Sequence, residues 1–264
     1  MSATAAVLAP TDRLEERLRA APGGLGLVPF LMAGHPDAAA TLEAARRIAE
    51  LDVAALELGI PSPEPVCDGP VIAAAGHEAL ARGTTVARSL ELAAEISVGT
   101  EVPIVLMTYA GPLLAYGVSR FALEAAAAGV AGVIVPDLRD GRRASVGTCL
   151  RAAGLDTIGL VTPTTSTPEL ARACRTSTGF VYCALAATTG VRATLRADAP
   201  SLLARARRQT SLPLVAGFGI SGPEHLAGLR GHADGAVVGS ALVARMAHRW
   251  DVVSFVKDLL AACR

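Results

Sequence analysis

The stretch Leu25-Gly26-Leu27-Val28-Pro29-Phe30-Leu31-Met32-Ala33-Gly34-His35-Pro36 decides between the two folds open to this sequence. Leu25 to Met32 is a continuous apolar run closed by Ala33-Gly34-His35-Pro36, the pattern of a parallel strand buried on both faces. Asp37 then starts a helix whose apolar stripe is Leu42, Ala45, Ile48 and Ala49. An open doubly wound sheet predicts a glycine-rich phosphate loop at this first strand–helix turn, and the turn carries no G-x-G-x-x-G. The remaining α/β solution is a closed barrel.

Outward from that unit the alternation repeats. Strands are predicted over 53–59, 103–109, 130–135, 157–161, 180–185, 212–216 and 235–238. Helices are predicted over 71–81, 86–97, 119–128, 142–153, 168–176, 199–209, 223–229 and 240–248. That makes about eight strand–helix units, the number that closes a (β/α)8 TIM barrel. Residues 1–22 hold an extra N-terminal helix beginning at Thr11 or Asp12, with Leu14 and Leu18 one turn apart, and 251–264 hold a C-terminal one. A chain of 264 residues suits one such domain, and no linker interrupts it.

Composition narrows the partners. Formal net charge is zero and the arginines are scattered, which argues against nucleic acid and anionic membranes. No apolar run is long enough to span a bilayer, and the N-terminal residues lack the basic leader of a signal peptide. Cys67, Cys149, Cys174, Cys183 and Cys263 are odd in number and show no C-x-x-C spacing, so neither a disulfide framework nor a zinc site is expected, and a cytoplasmic setting is. Small neutral or phosphorylated molecules remain.

In a barrel the reactive groups stand at the C-terminal ends of the strands. The residues there are His35, Glu57, Asp68, Tyr109, Asp137, Thr162, Tyr182, Gly217-Phe218-Gly219 and Gly239-Ser240. Glu57 sits inside the apolar run Leu56-Glu57-Leu58-Gly59, where burial raises the pKa of an acid and lets it exchange protons near neutral pH. The bland alternative is a structural hydrogen-bond network. Asp68, in the wetter loop that follows, can stay ionised and hold a substrate N–H. Gly219 and Gly239-Ser240 close adjacent strands seven and eight, where backbone N–H groups and a helix start can bind phosphate; alternatively they are only tight turns. Lys257 is the single lysine and lies in the terminal helix, which leaves no Schiff-base nucleophile. The histidines show no metal-ligand spacing, and most fall on helices where a solvated role is usual. No metal and no cofactor is expected.

These residues carry a resemblance. Leu56-Glu57-Leu58-Gly59-Ile60-Pro61, Cys67-Asp68-Gly69-Pro70, Leu106-Met107-Thr108-Tyr109, Val135-Pro136-Asp137-Leu138, Gly217-Phe218-Gly219-Ile220-Ser221 and Val238-Gly239-Ser240-Ala241, in that order, resemble the tryptophan synthase α-subunit family. The resemblance spans roughly residues 25 to 262 and implies a lyase that cleaves indole-3-glycerol phosphate to indole and glyceraldehyde 3-phosphate. It implies Glu57 as general acid toward indole C3, Asp68 as acceptor of the indole N–H, and Tyr182 as the group positioning them. Phe30, Leu106, Tyr109 and Ile134 would flank the substrate, and Gly219, Gly239 and Ser240 would hold its phosphate. A tryptophan synthase β subunit is the implied partner.

Several loops depart from the family pattern. Ser62-Pro63-Glu64-Pro65 replaces Phe-Ser-Asp-Pro, Pro136-Asp137-Leu138-Arg139 replaces Pro-Asp-Leu-Pro, and Tyr109-Ala110-Gly111-Pro112 lacks the asparagine before proline. Ala187-Thr188-Thr189-Gly190-Val191-Arg192-Ala193 puts Arg192 where the family's lid threonine is expected. Two readings follow: a stand-alone or specialised indole-producing lyase, or an ordinary α subunit whose interface has drifted with its partner. A non-catalytic binding barrel would have no need to keep both carboxylates, and a phosphosugar isomerase barrel would not need this glutamate–aspartate pair.

Overall fold

The structure, a computed structural model, describes residues 12–138, 140–186, 189–190 and 199–264. Eight parallel strands close on themselves: β1 (Gly26–Met32), β2 (Leu56–Gly59), β3 (Ile104–Met107), β4 (Val130–Ile134), β5 (Asp156–Val161), β6 (Val181–Ala184), β7 (Leu214–Gly217) and β8 (Gly235–Val238). Each pairs with the next, and Gly26↔Gly235 through Pro29↔Val238 completes the ring. This is the (β/α)8 barrel expected from the first strand–helix turn. The ladders are shorter than the apolar runs that predicted them. Val53, Ala54 and Ala55 are buried but approach the barrel as a loop, with Ala54 N–H donating to Leu27 O at 2.9 Å.

Successive strand residues face opposite sides, and both sides are buried. Val28, Phe30, Val105, Met107, Ile134, Ile158, Tyr182, Val215 and Val237 fill the barrel interior. Leu27, Leu31, Leu58, Leu106, Val133, Val181 and Cys183 belong to the layer between strands and helices. That layer is covered by α2 (Ala38–Ala49), α3 (Pro70–Ala81), α4 (Val86–Ser97), α5 (Ala110–Tyr116), α6 (Val118–Ala127), α7 (Asp140–Ala152), α8 (Thr167–Thr176), α9 (Ala199–Arg207), α10 (Pro223–Ala227), α11 (Ser240–Ala247) and α12 (Val252–Cys263). Side-chain caps start several of them: Asp37 accepts from Ala40 N–H at 2.8 Å, Thr85 from Arg88 N–H at 3.2 Å, and Ser166 with Glu169 forms a capping box.

The N-terminal helix α1 (Asp12–Arg19) has a defined task. Leu14 and Leu18 lie on one face and belong to the interior cluster, so the helix plugs the N-terminal mouth of the barrel. Glycines make room for it: a Cβ on Gly26 or Gly235 would come within 3.1 or 2.8 Å of Leu18 Cδ2, and one on Gly132 within 3.1 Å of Leu14 Cδ1. α12 covers the outside near α10, α2 and β1.

One helix was not anticipated. α5 occupies the stretch Ala110-Gly111-Pro112, which reads as a loop by residue type. Its start is stabilised from a distance, because Asp137, in the loop after β4, accepts from Ala110 N–H at 2.8 Å. Gly117, at φ 94°, then breaks it from α6. Leu18 is buried to 1 % exposure, so Leu18→Ala should destabilise the fold by about 2–5 kcal/mol through lost contacts and a residual cavity. Urea denaturation checks this, and a cost under 1 kcal/mol would show that α1 does not plug the barrel.

Candidate active site

The C-terminal mouth of the barrel gathers the candidate residues. Phe30 (β1) pairs in register with Glu57 (β2), and both point inward. Glycine lets the ring of Phe30 lie beside the acid: a Cβ on Gly59 would meet Phe30 Cζ at 2.6 Å. Across the barrel, Tyr182 (β6) lies against Gly217 (β7), where a Cβ would stand 2.2 Å from the phenol oxygen. Phe218 packs edge-on against Tyr182, ring centroids 5.8 Å apart. Together with Ile72, Met107, Thr189, Gly190, Gly219, Ile220, Val237, Gly239 and Ser240 these residues enclose a cavity with about 30 Å³ of free volume. That holds one or two waters and not a bicyclic ring.

Glu57 is 4 % exposed and its Oε2 has no hydrogen-bond partner. Burial, and then the charge of Asp68, push its carboxyl up to about 8, so it is protonated at neutral pH. Asp68 is partly exposed and rises less, to about 6, because Tyr109 hydrogen-bonds it and offsets part of the desolvation. It is therefore mostly ionised at pH 7. Its Oδ1 is buried without a partner and open to an incoming N–H. Tyr182 is fully enclosed, and burial together with the two carboxylates keeps its phenol protonated.

The structure sorts the remaining candidates. Phe30, Glu57, Tyr182, Gly219, Gly239 and Ser240 all line the cavity; Asp68 does not, although its charge reaches Glu57 and raises that carboxyl. Ile134 faces the interior beside Met107, its register partner, but does not line the cavity. Tyr109 reaches the loop rather than the cavity: its hydroxyl accepts from Cys67 N–H at 3.2 Å and bonds Asp68. Leu106 is corrected. It faces the outer layer, and strand alternation gives its place to Met107. Arg192 lies outside the described residues. Three of the five histidines, His77, His232 and His248, are exposed as expected, while His35 and His225 are buried, 2 % and 3 % exposed. His225 Nδ1 accepts from Ser221 N–H at 3.1 Å and so steadies the loop that follows Gly219. Asp137 has the structural role at α5 already described.

Met107, Ile72, Thr189 and Gly190 carried no signal in the sequence that marks them as cavity residues. Gly219 has φ 92° and Phe218 φ 69°, a left-handed pair that turns backbone toward the start of α11 at Ser240. Among the described residues no group of acids, histidines and cysteines could hold a metal ion. A larger groove of about 230 Å³ lies outside the barrel between α7 and α8, lined by Arg143, Arg151 and Arg172 among apolar residues, with no carboxylate to do acid–base chemistry.

A buried, protonated glutamate with an ionised aspartate near it, at the C-terminal mouth of a closed eight-stranded parallel barrel, is a site of the kind that TIM-barrel enzymes carry. The comparisons give the family. The family described as Tryptophan synthase alpha chain matches residues 18–263, and the chain belongs to it. It is 44 % identical over 229 residues to the tryptophan synthase alpha chain of Prochlorococcus marinus (strain MIT 9313), covering 86 % of this chain and 83 % of that one. It is 41 % identical over 218 residues to that of Geobacter sulfurreducens, covering 82 % and 83 %. Tryptophan synthase from M. tuberculosis in an aminoacrylate-bound form superposes with a TM-score of 0.87 at 32 % identity, covering 96 % and 99 %. A mutant α-subunit from Pyrococcus furiosus superposes at 0.83 with 34 % identity, covering 89 % and 98 %.

The site makes a stability prediction. Glu57 has a folded pKa of about 8 against an ordinary 4.5, so the folded state binds the extra proton between those values and loses stability as pH rises through them. Keeping the acid buried costs about 3 kcal/mol at pH 7. The gap in Tm between Glu57→Gln and wild type should therefore widen in the variant's favour from pH 5 to pH 8. A gap independent of pH would mean that Glu57 is not buried and protonated.

Proposed function

We propose that this chain cleaves indole-3-glycerol phosphate to indole and glyceraldehyde 3-phosphate, the lyase reaction of its family. The observation that carries the reading is the split pair: Glu57 holds a proton at pH 7 while Asp68 has released its own. The neutral Glu57 gives its proton to indole C3 as Asp68 takes the N1 proton, forming the indolenine. The Glu57 carboxylate then removes the proton of the hydroxyl on the adjacent side-chain carbon. The bond from C3 to that carbon breaks, its electrons restore the indole ring, the carbon becomes the aldehyde, and N1 regains its proton from Asp68. Tyr182 keeps Glu57 in place, Phe30 and Met107 flank the ring, and backbone at Gly219, Gly239 and Ser240 receives the phosphate. We place the reaction in the cytoplasm.

Tryptophan synthase alpha chains normally pair with a β subunit. One observation favours activity without one here. The loops around Ser62-Pro63-Glu64-Pro65 and Ala110-Gly111-Pro112, where the family meets its partner, depart from the family pattern.

The purified chain incubated alone with indole-3-glycerol phosphate should release indole, and addition of a tryptophan synthase β subunit should change the rate less than about tenfold. Strong stimulation would return the chain to the ordinary α-subunit reading, and no indole under either condition would remove the lyase assignment. Glu57→Gln should lower kcat roughly 10³-fold or more while inorganic phosphate still binds, and Asp68→Asn roughly 10²-fold or more. For wild type, kcat/KM against pH should be bell-shaped with limbs near 6, where Asp68 ionises, and near 8, where Glu57 loses its proton. A profile flat from pH 5 to 9 contradicts the two roles.

A further inference from the structure

The layer between strands and helices is thin at one place. On β5, Ile158 and Leu160 turn into the barrel and Val161 faces the helices, so alternation puts Gly159 on the outer side, where it offers no side chain. α7 packs on α6 and β5, and α8 packs on β5 and α9. Between α7 and α8 runs the groove of about 230 Å³, with Gly159 and Gly147 of α7 in its wall.

The two glycines have different reasons to be there. A Cβ on Gly159 would meet Ser177 Oγ at 2.4 Å, so packing against α8 demands glycine. A Cβ on Gly147 would meet only the guanidinium of Arg151, with Nη1 at 3.0 Å. Gly147 is buried in mid-helix, where glycine weakens a helix relative to alanine, and no backbone contact requires it. What its missing side chain does is let Arg151 lie against α7 and keep the groove open.

The groove is amphipathic. Val133, Val146 and Leu150, all buried, give it an apolar floor, and Arg143, Arg151 and Arg172 supply positive charge. None of the described residues that line it is acidic. Arg143 donates to Leu138 O at 2.7 Å and Arg151 to Thr157 Oγ1 at 3.0 Å. Such bonds fix the heads, and a guanidinium has five N–H donors, so a ligand oxygen can still be received. Arg143 and Arg172 also line an adjoining polar groove with Thr162, Thr164, Thr165 and Glu169. Glu169 is engaged there in the capping box with Ser166.

We propose that this groove binds an amphipathic carboxylate, its apolar body on Val133, Val146 and Leu150 and its carboxylate between Arg143 and Arg172, where the apolar and polar grooves meet. Charge complementarity selects an anion, and the floor selects one with an apolar body; a small inorganic anion would leave the floor in water. A space of about 230 Å³ is roughly eight times the share of one water, the size of a medium-chain carboxylate. The groove shares no residue with the cavity at Glu57, so binding there can be measured whatever the chain catalyses.

Titration of the full chain with octanoate, followed by two-dimensional NMR of the backbone amides, tests this. The Gly147 and Gly159 signals should move together, with a Kd of about 1 mM or tighter. Octanol, which lacks the charge, should bind at least about tenfold more weakly, and acetate, which lacks the chain, should leave both signals in place. Arg172→Gln should weaken octanoate about fivefold, and Gly147→Leu, which fills the groove, should abolish its binding. Gly147→Leu should remain folded, because the new side chain displaces only the tip of Arg151. No shift at either glycine up to about 10 mM octanoate overturns the site. Equal affinity for octanol, or unchanged octanoate affinity in Arg172→Gln, overturns the role of the arginines. A shift with acetate equal to that with octanoate overturns the role of the apolar floor.

Discussion

The desolvation of one carboxyl group governs this structure. Glu57 occupies an inward position on β2 between Phe30 on β1 and Val105 on β3, and closure of the barrel leaves the side chain no route to bulk water. An ionised carboxylate there would be uncompensated, so the group keeps its proton well above the ordinary glutamate range. The same enclosure that makes the residue a liability for stability keeps it protonated at neutral pH. The neighbouring glycines at 59 and 217 are part of this arrangement, because they admit the rings of Phe30 and Tyr182 into the space around the acid.

Asp68 shows the opposite solution with the same chemical group. It lies on a loop, is partly wet, and has a phenol beside it that favours the charged form. Two carboxylates of nearly equal intrinsic acidity are thus separated by environment, one by enclosure within the barrel and one by a hydrogen bond at its rim. Other polar residues at the strand ends serve the scaffold. Asp137 starts α5 and His225 braces the loop after Gly219, so a polar group at a barrel's C-terminal face is not catalytic by address alone.

Much of the scaffold was legible because strands buried on both faces write themselves as apolar runs and helices as stripes. The first strand and its glycine-poor turn were enough to choose a barrel, and the Leu14–Leu18 spacing marked α1 as a packed helix. α5 escaped because Gly111 and Pro112 signal a loop, while its N-terminal stabilisation arrives from Asp137 in another loop. Leu106 was misassigned for a different reason. Within an apolar run both faces look alike, and only a residue of known facing, such as Glu57 through its register with Val105, sets which alternate side chains see the cavity.

By itself the sequence determined the alternation that closes the barrel, the presence of an acid inside a strand, the absence of a competing lysine, and the glycines at the ends of β7 and β8. These are properties of residue type and spacing, which local physics converts directly into structure. The tertiary structure decided which carboxylate carries the proton, because that depends on solvent access and on the distance between groups far apart in the chain. It also decided that Tyr109 holds Asp68 and that Met107 and not Leu106 meets the cavity. Each of those is a contact between separate strand–helix units, and no spacing within one unit encodes where its loop will land on another.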